Sequence, residues 1–151
     1  MEKKLDCILL VDDDFATNFI NKRIIQKINI TEHIQVTLNG KEAIDYLSKQ
    51  GKFESAVNEF PLPQLILLDI NMPVMDGWEF IQAYKSLDLE NKDDIVVVML
   101  SSSFNPADKA KAESIAEIAD FKQKPISKEA LIEIIETYFP KLVKQVFSEK
   151  V

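Results

Sequence analysis

The chain has 151 residues, with 18 Lys+Arg against 25 Asp+Glu and a formal charge of −7 when His33 is neutral. An apolar fraction of 46% with only 3 Gly and 6 Pro is the composition of a packed core, which excludes fibrous, low-complexity and disordered classes. The acidic balance argues against a nucleic-acid binder, the sole Cys7 precludes an intrachain disulfide or a cysteine-based zinc cluster, and no apolar run approaches the ~20 residues of a membrane span. The start, Met1-Glu2-Lys3-Lys4-Leu5-Asp6, lacks the apolar centre of a signal peptide, so one soluble, cytoplasmic domain is expected.

In chain order, Cys7 to Val11 predicts a strand. Phe15 to Ile28 predicts a helix in which Phe15, Phe19, Ile20, Ile24 and Ile28 keep one apolar face. Ile34 to Leu38 predicts a second strand, and Lys41 to Lys49 a helix with Ala43, Ile44 and Leu47 inward. Gln50 to Gln64, with Pro61 and Pro63, reads as a surface insertion. Leu65 to Leu68 is apolar without alternation, as a strand buried on both faces should be. Asp76 with Glu79 three residues on predicts a capping box for a third helix ending near Leu87. Ile95 to Leu100, the most β-branched run, predicts a central strand. Asn105-Pro106 supplies an N-cap and N1 proline for a helix to about Ala119. Phe121 opens a short fifth strand that Lys124-Pro125 ends, and Ser127 caps a last helix through about Phe139.

Five strand-then-helix units imply a doubly wound α/β fold, a mostly parallel sheet covered by helices on both faces. Residues 5–139 are expected to form the domain and 140–151 a tail too short for an effector domain.

Ligand sites in such sheets lie at the carboxyl ends of the strands. The polar residues expected there are Asp12, Asp13 and Asp14, then Asp69, then Ser101, Ser102 and Ser103, then Lys124. Each has an ordinary explanation: a helix cap, a turn opener, loop serines, a solvated lysine. Their joint placement at one sheet edge is less ordinary, because converging carboxylates repel one another and raise each other's pKa unless a cation compensates. Hard oxygen ligands suit Mg²⁺, which commonly bridges carboxylates and phosphate. That chemistry makes one Asp a nucleophile forming an aspartyl phosphate, with an amine and a hydroxyl for the remaining oxygens.

These residues carry a resemblance. Ile8-Leu9-Leu10-Val11-Asp12-Asp13-Asp14, the run Leu65 to Gly77 containing Asp69-Ile70-Asn71-Met72-Pro73 and Asp76-Gly77, Ser101 after the fourth strand, and Lys124-Pro125 resemble the receiver domain of two-component response regulators. The resemblance spans residues 5 to 139 and implies a stand-alone regulator with a CheY-like, five-stranded sheet of order 2-1-3-4-5. It implies that Asp69 accepts phosphate from a sensor histidine kinase or phosphotransfer protein, and that Asp12, Asp13, Asp69 and the Asn71 backbone carbonyl hold Mg²⁺. It further implies that Lys124 pairs with the phosphoryl group, and that Ser101 and Phe121 form a switch toward a downstream protein target. Nucleic acid and membrane are not expected partners, and the protein is expected to be a phosphoacceptor, not an enzyme. Asp120 stands where the family often has Gly, Phe121 lacks the hydroxyl of the commoner Tyr, and Ser102 replaces a frequent Ala.

Three other readings are weaker. A haloacid-dehalogenase-type phosphatase needs Asp-x-Asp-x-Thr or Val, and Ala16 occupies the last position here. A non-phosphorylated adaptor would leave the filled chemical positions without a purpose. A flavodoxin-type flavin carrier would meet repulsion between its phosphate and Asp12 to Asp14. His33 is expected at the surface, Met72, Met75 and Trp78 in loop packing, and Lys109, Lys111 and Glu113 on a solvated helix face.

Overall fold

The computed structural model describes residues 4–54, 60–103 and 105–142. The strands β1 (Ile8–Val11), β2 (Ile34–Thr37), β3 (Leu65–Asp69), β4 (Val96–Ser101) and β5 (Asp120–Gln123) form one parallel sheet in the order β2-β1-β3-β4-β5. Between and after them run α1 (Phe15–Ile28), α2 (Gly40–Ser48), α3 (Gly77–Lys85), α4 (Pro106–Glu113) and α5 (Lys128–Tyr138). The doubly wound fold therefore agrees with the reading of the strand and helix pattern, and the strand order with what the resemblance implies. Among the described residues no helix is long and apolar enough to cross a membrane. Most of the tail, 143–151, and the middle of the insertion, 55–59, lie outside the described residues.

Successive side chains of a strand point to opposite faces, so the apolar runs feed two cores. Leu9, Val11, Ile66 and Leu68 join Tyr46, Phe53, Phe80 and Tyr84 on one face; Ile8, Leu10, Leu65 and Leu67 join Ile25, Leu131, Ile134 and Ile135 on the other. Each such side chain contributes about 1.5–3 kcal/mol by leaving water. The register aligns the strand ends: Val11 pairs with Thr37 and with Leu68, Asp69 with Leu100, and Ser101 with Gln123. Whatever follows those residues is delivered to the same edge.

Three expectations need correction. The first concerns α1, whose first half does not turn its apolar residues inward: Phe15 is 83% exposed, Phe19 54% and Ile20 41%. The buried residues of the helix are Thr17, Asn18, Asn21, Ile25 and Ile28. The cause is what α1 meets there, a charged sheet edge in place of an apolar one, so its inward turns carry amides and a hydroxyl. The second is α4, which ends at Glu113 and not near Ala119. Ser114 Oγ donates to the Lys111 carbonyl at 2.6 Å, a local bond that competes with helix continuation.

The third is the insertion, whose ends are not purely superficial. Gly51–Phe53 forms a 3₁₀ turn, and Phe53 is buried against Tyr46 and Phe60 in edge-to-face contacts at 5.0 and 5.1 Å. The Tyr46 hydroxyl donates to the Pro61 carbonyl at 2.6 Å, which closes that aromatic cluster.

Candidate functional site

Asp12 follows β1 directly, Asp69 is the last residue of β3, Ser101 the last of β4, and Lys124 follows β5. The register already described brings them together. One carboxylate oxygen from each of Asp12, Asp13 and Asp69 lies within 4.8 Å of the others. Asp12 and Asp69 are buried, whereas Asp13 is exposed at the mouth. The Lys124 ammonium sits 3.1 Å from Asp12 Oδ2 and 3.1 Å from Asp69 Oδ1. Asp12 Oδ1 accepts the Asp14 amide at 2.8 Å, and Asp69 Oδ1 accepts the Ile70 amide at 2.9 Å. Asp69 Oδ2 has no hydrogen-bond donor among the described residues.

The electrostatics follow from that count of charges. Three carboxylates face one ammonium, so ionising all of them leaves a surplus of two negative charges. Burial, and then the Asp12 charge, push the Asp69 carboxyl above its ordinary value, and Lys124 only partly offsets them. Burial would lower the Lys124 pKa, but hydrogen bonds to Asp12 and Asp69 hold it above the ordinary value. Such a pocket favours a divalent cation. Two buried carboxylates, an exposed third and open access at the Asp13 side fit the hard-oxygen, partly hydrated coordination of Mg²⁺.

The loop after β3 is tied down by its backbone. Gly77 donates its amide to the Ile70 carbonyl at 2.8 Å, and Met75 accepts from the Gly40 amide at 2.9 Å. A Cβ on Gly77 would stand 2.5 Å from the Asp69 carbonyl oxygen, so only glycine permits α3 to begin this close to the end of β3. Asp76 and Glu79 form the expected capping box. Val74 has φ 68° and is 77% exposed, an unusual conformation for a β-branched residue, and Asn71 is exposed two residues past Asp69.

Ser101 is buried, and its hydroxyl donates to the Ser103 carbonyl at 2.6 Å. Beside it a cavity of about 90 Å³ is lined by Ser101, Ser103, Lys109, Phe121, Lys122 and Gln123. Phe121 is half-buried. Asp120 fits the start of β5 without needing glycine: it accepts the Phe121 amide at 2.8 Å and the Tyr138 hydroxyl at 3.4 Å.

The sequence reading passed over two residues of this region. Asn18 Nδ2 donates to the Asp12 carbonyl at 2.8 Å, and Asn21 Oδ1 accepts the Ile126 amide at 3.0 Å. Their signal was available: two amides three apart on one helical face, directly after the acidic run. Lys111 is exposed on the solvated face expected of it, and its ammonium lies 4.3 Å from the centre of the Trp78 ring.

Comparison with known proteins is consistent with this arrangement. The response regulator receiver domain model matches residues 8–136. Two-component response regulator 24 of Arabidopsis thaliana is 28% identical over 134 residues, covering 89% of this chain and 84% of that protein. Response regulator Rcp1 of Synechocystis is 34% identical over 102 residues, covering 67% of this chain and 65% of that one. The crystal structure of a two component response regulator from Cytophaga hutchinsonii superposes with a TM-score of 0.78 at 34% identity, over 91% of this chain and 99% of the other. With a matching fold, a family model spanning most of its length and an acidic pocket at the strand ends, the chain belongs to the response regulator receiver domains of two-component signalling.

Proposed function

We propose that Asp69 is the phosphoryl acceptor of this receiver, with a sensor histidine kinase or phosphotransfer protein as donor. The observation that carries the reading is the meeting of Asp12, Asp13, Asp69 and Lys124 at one sheet edge, with Asp69 Oδ2 unengaged. Asp69 Oδ2 attacks the phosphorus, and the bond from phosphorus to the donor nitrogen breaks with its electron pair returning to the donor imidazole. From a small acyl phosphate the broken bond is phosphorus to oxygen. Asp12, Asp13, Asp69 and the Asn71 carbonyl are the groups that would hold Mg²⁺, which when bound neutralises charge on the phosphoryl oxygens. Lys124 pairs with one of those oxygens, and the fixed orientation of its ammonium supplies stabilisation without reorganisation.

Output follows from Ser101 and Phe121. A phosphoryl oxygen competes with the Ser103 carbonyl for the Ser101 hydroxyl, and the adjoining cavity gives the Phe121 ring room to turn inward. The shift is limited to the difference in affinity of the phosphoryl group for the two arrangements. A downstream protein would read the resulting surface of α4, β5 and α5, in the cytoplasm, with residues 5–139 as the switching unit.

A protein donor is favoured by the rim of the site. Among the described residues five large apolar side chains are exposed: Phe15, Phe19 and Ile20 on α1, Leu38 after β2 and Val74 after β3. Phe15, Leu38 and Val74 each lie within a few residues of a strand's carboxyl end, where a macromolecular donor must approach.

Intact-mass measurement after incubation with acetyl phosphate and Mg²⁺ tests the reading. One retained phosphoryl group is expected, and none in Asp69→Asn or when Mg²⁺ is omitted. Full labelling of Asp69→Asn together with none in Asp12→Asn would move the nucleophile. Turnover without a retained adduct would favour a haloacid-dehalogenase-like phosphatase, and no reaction a non-phosphorylated adaptor.

A further inference from the structure

We propose that Asn21 is a positioning residue that holds the Lys124 ammonium between Asp12 and Asp69; the consequence for chemistry rests on Asp69 being the acceptor. Lysine is a flexible four-carbon stem ending in a compact charge, so its backbone must be fixed on both sides if the charge is to be fixed. Upstream, the Lys124 amide donates to the Ser101 carbonyl at 2.8 Å. Immediately downstream stands Pro125, which has no N–H. Ile126 therefore carries the first amide after Lys124 that can anchor the segment. Ile126 is fully buried, and its amide is received by Asn21 Oδ1 at 3.0 Å, across 105 residues of chain.

The same helix face holds the other half of the ion pair. Asn18, one turn earlier, donates to the Asp12 carbonyl at 2.8 Å, so α1 grips the backbone on both sides of the Asp12–Lys124 contact. Packing gives no reason for these amides, since Asn21 is 2% exposed, Asn18 is 6% exposed, and Asn18 Oδ1 has no partner among the described residues. A buried amide is costly unless its bonds do something an apolar side chain cannot. Here they fix where two opposite charges meet.

The test compares Asn21→Leu, which removes the acceptor, with Asn21→Asp, which keeps it. At saturating Mg²⁺, acetyl phosphate should label Asn21→Leu about tenfold or more slowly than wild type, as displacement of a reacting group by a fraction of an ångström does, and Asn21→Asp should recover most of the rate. In a Lys124→Met background, Asn21→Leu should slow labelling no further, because both changes act through one ammonium. A wild-type rate in Asn21→Leu, or additive slowing with Lys124→Met, overturns the assignment. If Asn21→Leu does not fold, Asn21→Ser, whose side chain is too short to reach the Ile126 amide, is read the same way.

A wild-type protein that takes no phosphoryl group would refute the acceptor reading but not the positioning, which a second measurement decides. The two Lys124 Hε protons should be inequivalent by ¹³C–¹H NMR in wild type and Asn21→Asp, and should merge in Asn21→Leu. Identical spectra in all three would overturn it.

Discussion

The two faces of the sheet are built from different materials. On the side of α2 and α3 the buried residues include Tyr46, Phe53, Phe80, Tyr84 and Cys7; on the side of α1 and α5 every fully buried member of the core is Leu, Ile or Val. Toward the carboxyl edge the second side changes again, to Thr17, Asn18 and Asn21. One face thus owes its order to interlocking rings and phenol hydrogen bonds. The other is aliphatic at one end and amide-lined at the end that meets the charges.

Deleting a ring from the aromatic face should have the largest effect on stability. Phe80 is fully buried and stacked 5.7 Å from Tyr84, so Phe80→Ala should lose about 3–5 kcal/mol in urea unfolding. Phe19 on α1, the same residue type, is 54% exposed.

High pH should separate the faces next. Burial pushes Cys7 up to about 11 from 9.0 and Tyr84 up to about 12 from 10.0. Both groups hold their protons more tightly in the folded than in the unfolded chain. Their stabilisation is therefore complete below the unfolded values and is lost as pH rises through the folded ones. Cys7 alone should account for about 3 kcal/mol of loss between pH 9 and 11, the linkage equivalent of its shift. Denaturant titrations across that window should show a shallower decline in Cys7→Ala than in wild type. Equal slopes would mean that the thiol is not what ties this face to pH.

A smaller effect belongs to the start of α3. Asp76→Ala removes the carboxylate that accepts the Glu79 amide at 2.9 Å, while the backbone amide of residue 76 can still donate to Glu79 Oε1, and should lose about 1 kcal/mol by thermal unfolding. The smallest belongs to α1: Phe19→Ala should change stability by less than about 0.5 kcal/mol while slowing phosphoryl transfer from a protein donor but not from acetyl phosphate. Equal slowing with both donors would assign Phe19 to the pocket and not to its rim.

The contrast also explains what the sequence made legible. The parallel sheet and its polar strand ends were readable because uninterrupted apolar runs such as Leu65 to Leu68 admit little but a doubly covered parallel strand, and parallel pairing sends their ends to one edge; the strand order was implied by the family resemblance alone. The cap at Asp76 was readable because it is local. The inward face of α1 was not, since periodicity assumes that whatever a helix packs on is apolar, and here it packs beside Asp12 and the Lys124 segment. Lys92 was equally hidden: its ammonium donates to the carbonyls of Tyr84, Lys85 and Leu87 at 2.8, 3.1 and 2.7 Å, closing the end of α3 from a turn beyond it. Ser101 was located correctly, but its bond to Ser103 depends on a loop shape that no pattern of residue types encodes.

The chain has a single tryptophan, and Trp78 lies on the first turn of α3 beneath the Lys111 ammonium of α4. Of the residues in α4 only Ala112 is buried, so that helix is lightly moored, while the indole packs against the core at the start of α3, just after the loop that follows Asp69. Indole emission responds to a nearby cation, which gives the molecule an intrinsic optical gauge. Its brightness should change when Lys111 and Trp78 move apart, with no dye attached and no second tryptophan to dilute the signal.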